Sequence, residues 1–241
     1  MSSFTFIGDN GTFRSDELKL MVTAPIVRPS WAQVSNEVTA PGSTRKIIQR
    51  LKTYENAELT VRTVLANDTP ENVRAVYSAL RGSGKLILSS SPEEYMNVSV
   101  KPLVPEAVAQ LTAELPISFV CEPFAYALEP TIVEISSVGV IVKNTGTIYS
   151  APTIKLIPGT TSNITISVNN KPFVLAVPAE LAYKQVIIDC DAQVAYYIED
   201  GVKHSINQYT MYDYPLLHSG DNLVSVSGTA SAELIANERW L

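Results

Sequence analysis

The stretch TPENVRAVYSALRGSGKLILSS, Thr69 to Ser90, decides what kind of chain this is. Its centre, Gly82-Ser-Gly-Lys85, looks like the end of a phosphate-binding loop. Such a loop also needs a Gly five residues before the Gly-Lys pair and a Ser or Thr after the Lys. Those positions hold Ala79 and Leu86, so both requirements fail. The order of elements is reversed as well, because the phosphate must sit on the N-terminus of a helix that follows the loop. Here the helix comes first. Thr69 is an N-cap and Pro70 suits the first helical position. Val73, Val76, Tyr77 and Leu80 follow the spacing of one buried stripe. The spacing predicts a helix over 70–81, a stop at Gly82, where a left-handed residue is wanted, and a strand from Lys85.

Outward from that helix the first half reads as strands. FTFIG (Phe4 to Gly8) alternates, and AELTVRTVLA (Ala57 to Ala66) sets Leu59, Val61, Thr63 and Leu65 against Glu58, Thr60, Arg62 and Val64. That is the period of a half-buried strand. YMNVSVKPLVP and LPISFVCEPFAY are two more, the second with Ile117, Phe119 and Cys121 on one face. The helix needs such a sheet to bury its stripe. VPEAVAQLTAEL (Val104 to Leu115) reads equally as a second short helix, a strand or a hairpin arm. The basic run RKIIQRLK (Arg45 to Lys52) lacks interleaved aromatics, so it reads as a solvated strand face or protein contact surface and not as a nucleic-acid patch.

After EPFAYALEP the composition changes. No helical period follows, and short β-prone runs from TIVEI to AELIANERWL succeed one another at the spacing of a sandwich. Asp200-Gly201 suits a type I′ hairpin turn, and Asn169-Asn170 is a weaker version. The predicted organisation is mainly β: residues 1–128 as a β-sandwich with one helix, and residues 129–241 as a second β-sandwich.

Composition narrows the function classes. The 241 residues are 46% hydrophobic and 17% charged, which is globular. No apolar run approaches the ~20 residues of a membrane span, and MSSFTFIGDNGTF does not read as a secretory signal. The net charge of −6 speaks against a general nucleic-acid binder. It is uneven: residues 1–128 hold 12 basic and 13 acidic side chains, residues 129–241 hold 6 and 11. Cys121 and Cys190, far apart, read as buried thiols.

Chemistry-bearing spacings are missing. His204 and His218 are the two histidines, and there is no Gly-x-Ser-x-Gly elbow. Asp189-Cys190-Asp191 comes nearest to a metal motif; on a strand it would place both carboxylates on one face and the thiol on the other. The expectation is no catalytic residue, no cofactor-binding residue, no metal ligand, no cofactor and no enzyme activity.

The order of the pieces is more telling than any one of them. F-x-F-x-G opens the chain, and an extended stretch with a Pro-Gly turn, EVTAPGSTRK, follows. Then come YENAELTVRTVLA, the helix, GKLILSSSPEEYMNVSV, LPISFVCEPFAY and finally MYDYPLLHSGDNLVSVSGTASAELIANERWL. This pattern resembles the distal tail proteins, tail-tip hub components of phages with long non-contractile tails. The resemblance covers nearly the whole chain. It implies a ring-forming N-terminal β-sandwich, a C-terminal galectin-like β-sandwich that projects outward, and a hexameric ring. The implied partners are the tail tube protein, the tape-measure protein and the baseplate hub or tail-associated protein. DNA passes through the channel without specific nucleic-acid binding, and no membrane is involved. The implied location is the virion, at the distal tip of the tail, after synthesis in the host cytoplasm. The His, Asn, Arg and Trp constellation with which galectins bind sugar is not found, and Arg239 with Trp240 is not that arrangement. At this length there is also no room for an inserted carbohydrate-binding module. The competing reading is a host-glycan-binding module acting through the C-terminal β-sandwich, with Tyr196, Tyr197, Tyr209, Tyr212 and Tyr214 as an aromatic cluster.

Overall fold

The computed structural model describes residues 2–39, 41–42, 44–66, 69–103, 113–160 and 163–241. Val104 to Thr112 of the segment with open assignments lie outside these residues. The chain divides into two compact units, residues 1–128 and 129–240.

The first unit contains β1 (Phe4–Gly8), β2 (Gly11–Arg14), β3 (Leu20–Val22), β4 (Gln33–Thr39), β5 (Lys46–Tyr54), β6 (Ala57–Val61) and β7 (Thr63–Leu65). Helix α1 (Pro70–Ala79), β8 (Ser83–Leu88), β9 (Ser91–Val100), β10 (Ala113–Glu114) and β11 (Ile117–Ala127) complete it. A main sheet runs β2-β1-β8-β9-β11, with β6 on the far side of β11. Its registers, Phe6 opposite Leu86 and Cys121 opposite Val98, align the apolar members of each alternation on one face. Phe4, Phe6, Phe119 and Cys121 are buried there, and Phe4 meets Phe119 edge to face at 5.8 Å. Val76, Ala79 and Leu80 join the same core, so the helix buries its stripe as its period requires. A small sheet, β10-β7-β3, adds Leu20 and Leu65.

The helix start is as expected. The Thr69 side chain accepts from the Asn72 N–H at 3.3 Å, with Pro70 in the first turn. Its end comes two residues earlier than the spacing predicts. Leu80 is the C-cap, its N–H bonding the Val76 carbonyl, and Gly82 takes φ +74. The next strand begins at Ser83, not at Lys85, so Ser-Gly-Lys is part of the sheet. Gly84 is there for closeness: a Cβ would collide with the Ile7 carbonyl and the Phe6 ring on the neighbouring strand.

The second unit is a sandwich of two antiparallel sheets. Its elements are β12 (Ile132–Glu134), β13 (Val140–Asn144), β14 (Thr153–Pro158), β15 (Asn163–Val168), β16 (Lys171–Ala176), β17 (Val186–Asp189) and β18 (Val194–Glu199). They continue with β19 (Val202–Ser205), β20 (Thr210–Met211), β21 (Gly220–Ser227), β22 (Thr229–Ile235) and β23 (Arg239–Trp240). One sheet runs β12-β22-β14-β17-β18-β19 and the other β13-β21-β15-β16-β20. Inward residues from both, among them Ile154, Leu156, Ile166, Phe173, Val224 and Leu234, form one core. AELIANERWL is not one strand, since β22 stops at Ile235 and β23 starts at Arg239. Two-residue hairpins join β18 to β19 and β15 to β16. Asp200 and Gly201 have φ 51 and 78, and Asn169 and Asn170 have φ 51 and 65, the positive pair that a type I′ turn demands.

Buried polar side chains tie this unit together. Asn222, fully buried, donates to the carbonyls of His218 (2.8 Å) and Gly220 (2.9 Å) and accepts from the His218 N–H and the Asn169 amide. Asn144 donates to the Ile148 and Leu217 carbonyls and accepts from the Gly146 N–H. Arg239 donates to the Tyr149 carbonyl at 2.7 Å and pairs with Asp191 at 3.2 Å.

Candidate assembly surface

The β4–β5 hairpin is set apart from the sheets around it. It is a two-stranded sheet with no third strand on either edge among the described residues. The register pairs Ser35, Glu37 and Thr39 with Arg50, Ile48 and Lys46 on one face, and Asn36 with Gln49 on the other. Among its described side chains, only Tyr54 at its foot packs against the core. Val38 is 52% exposed and Ile48 58% exposed, on opposite faces. Lys46 Nζ reaches Glu37 Oε2 at 2.6 Å, while Arg45 and Arg50 add exposed positive charge. A two-stranded hairpin in water is marginal by itself. This one is held at its base. Gln33 donates its amide to the Leu51 carbonyl, and the Glu55 N–H bonds the Ala32 carbonyl. The Tyr54 ring meets Phe124 edge to face at 5.2 Å. Phe124 sits where the β11–β9 register shifts, with φ 76. The sequence shows both arms, EVTAPGSTRK with its turn and the basic run, but no signal in it pairs the one with the other.

The residues screened for chemistry are dispersed. His204 lies on β19, stacked on Tyr197 with centroids 4.9 Å apart. His218 lies in the turn before β21, its backbone held by Asn222. No described hydrogen bond joins either imidazole to a hydroxyl or carboxylate. Asp189-Cys190-Asp191 is not a strand face: β17 ends at Asp189, whose carboxylate accepts the N–H groups of Asp191 and Ala192 and so closes a turn. Burial pushes the Cys121 thiol up to about 11. Burial also raises Cys190, and the Asp189 and Asp191 charges add to it. Thiols so protonated are poor nucleophiles and ligands. No group of three or more His, Cys, Asp or Glu able to hold a metal occurs among the described residues. No described helix is long and apolar enough to cross a membrane.

The nucleotide-like Lys85 is turned to another purpose. Its Nζ lies 4.1 Å over the Tyr95 ring, which stacks on Tyr126. The five tyrosines of the second unit do not gather into one exposed platform. Tyr197, Tyr209 and Tyr214 pack against the core, Tyr196 points the other way under Lys203, and Tyr212 alone is largely exposed. A furrow of about 700 Å³ on the six-stranded sheet is lined by Glu134, Glu233, Lys155 and Gln185, without an aromatic ring.

No family model matches the sequence, and no curated protein matches it. Solved structures do. The crystal structure of SPP1 Dit (gp 19.1), described as a paradigm of the hub adsorption apparatus in phages infecting Gram-positive hosts, aligns over 100% of both chains with a TM-score of 0.78 at 13% identity. A chain of the phage P2 baseplate in its activated conformation with Ca aligns over 99% of this chain and 98% of its own, with a TM-score of 0.54 at 10% identity. The whole chain therefore shares the fold of SPP1 Dit, built on β-sandwiches.

Proposed function

We propose that this chain is a structural protein of a phage tail that forms a ring at the distal end and joins the tail tube to the baseplate hub. The observation that carries the proposal is the fold likeness to SPP1 Dit, end to end in both chains and across both units. Isolated domains can share a fold without sharing a function. A match of the whole two-unit chain narrows the choice further than either unit would.

The hairpin supports the self-assembling part of this reading. An unpartnered hairpin with exposed Val38 and Ile48 needs a surface to lie on, and in a ring each copy offers one to the next. The ring is hexameric, and the first unit makes it. The second unit, with its excess of acid, faces outward, where like charges on neighbouring copies are better screened. The tape-measure protein and DNA pass through the channel, and the protein works without catalysis. The glycan-binding alternative gains nothing from the tyrosines, which are divided between core and opposite strand faces.

The test is imaging of assembled tails carrying this protein with a label. The expected image shows label as a collar at the tip. Label along the shaft or in the capsid overturns the proposal.

A further inference from the structure

Strand β11 carries a bulge that its own core does not need. From Cys121 to Ala125 it takes four residue steps, while β9 opposite takes two, from Val98 to Met96. The two extra residues are one full period of strand alternation. Cys121, Ala125, Val98 and Met96 are therefore all buried on one face, as they would be without the bulge. What the bulge changes is the course of Glu122-Pro123-Phe124, which has no partner in the β9 register. Pro123 has no N–H to pair and suits such a place. Phe124 takes φ +76, a left-handed backbone that a bulky residue rarely adopts. Its ring is buried, yet it is not among the side chains of the first unit's apolar core. It meets Tyr54 edge to face, and Tyr54 stands opposite Gln33 at the foot of the β4–β5 hairpin.

We propose that Phe124 is a positioning residue for assembly: the bulge turns its ring towards Tyr54, and that contact sets the direction in which the hairpin leaves the sheet. The inference rests on the reading of the hairpin as the contact between copies in the ring. Bulges re-aim side chains in this way, and residues held in rare backbone conformations gather where function needs them. The hairpin needs such a guide. It has no third strand among the described residues, and beyond Tyr54 its described side chains join no core. Its own ties, Gln33 to the Leu51 carbonyl and Glu55 to the Ala32 carbonyl, hold the arms to each other and not to the sheet. Trp31, buried in the core just before β4, fixes where the hairpin starts. A second point is needed to fix where it points, and Tyr54 on Phe124 supplies it. An edge-to-face pair of rings suits that task, because its geometry is directional. A cyclic ring repeats one contact, so exposed Val38 and Ile48 must be presented at the same angle by every copy.

The test measures that direction in the purified full chain. Spin labels go on Thr39→Cys in the hairpin and Ser83→Cys on β8, both exposed positions; the natural cysteines are buried and stay unlabelled. The parent should give a single narrow distance peak. Tyr54→Phe should keep it, since the ring and not the hydroxyl makes the contact, and Tyr54→Ala should broaden it. Phe124→Gly is the second variant, because glycine accepts the left-handed backbone and only the ring is lost. It too should broaden the peak, while hydrogen exchange at Val98 and Phe119 stays as in the parent. A narrow peak in either ringless variant, or a broad one in Tyr54→Phe, overturns the inference. In assembled tails the ringless variants should lose the collar that Tyr54→Phe keeps. Collars kept by the ringless variants but lost by Val38→Ser with Ile48→Ser overturn the inference and leave the hairpin contact standing. Collars kept by all of these variants overturn both.

Discussion

The two units solve the problem of exposed strands differently. The second unit spends its polar side chains inward: Asn144, Asn222 and Arg239 each satisfy several backbone groups at places where strands end and turns begin. The first unit packs helix and phenylalanines into one core, yet extends a hairpin whose described side chains beyond Tyr54 join no core. What the difference teaches is that burial and binding are divided between regions. Side chains that are fully partnered within the chain report on stability. Apolar side chains left without a neighbour report on assembly.

That division can be broken most forcefully in the cores. Phe119→Ala in the first unit and Phe173→Ala in the second should each cost about 3–5 kcal/mol, the range for emptying a buried aromatic site. Hydrogen exchange under rising denaturant, read at β9 and β11 for the first unit and at β14 and β15 for the second, assigns each loss to its unit. Losses that always appear in both reporters together would show that the units do not unfold separately.

A polar substitution sharpens the comparison. Asn222→Ala leaves the His218 and Gly220 carbonyls and the Asn169 amide without their partner, and should cost about 3 kcal/mol. Exchange at β15 and β21 is the readout, and a change under about 1 kcal/mol would mean the network is dispensable. Alkali probes the first unit. The Cys121 thiol, raised by burial to about 11, ionises more readily in the unfolded chain, so its stabilisation is complete below the ordinary thiol range and is lost as pH rises towards 11. The loss should be roughly 2 kcal/mol between pH 8 and 11. Unfolding of Cys121→Val across that range should lack this component; an unchanged alkaline loss would assign it elsewhere.

The smallest effect on stability belongs to the hairpin. Val38→Ser with Ile48→Ser should change unfolding of either unit by less than about 0.5 kcal/mol, as exposed substitutions do. The same pair should remove the collar from tail tips. Tails that keep it would place the self-contact elsewhere.

Much of this was legible because it is local. The Thr69 cap, the Gly82 stop and the Asp200-Gly201 turn are each written within a few residues. The alternation of β14, with Ile154 and Leu156 inward, is likewise visible in the sequence. What was hidden depends on distant partners. Gly84 is dictated by the carbonyl of Ile7, and Asn222 looks like an ordinary turn residue until strand β13 and the turn at His218 close around it. The exposure of Val38 and Ile48 is hidden for the same reason, since apolar residues in a strand ordinarily predict a covered face. The Asp-Cys-Asp triplet misled because a strand period was extended one turn too far.

The bulge in β11 also has a mechanical meaning. Tyr54, at the foot of the hairpin, bears on Phe124, and Phe124 lies where β11 slips its register against β9. A sideways push on the hairpin is thus delivered to the point of that strand pair where the ladder is already interrupted. The hairpin is a short lever whose fulcrum is one pair of aromatic rings.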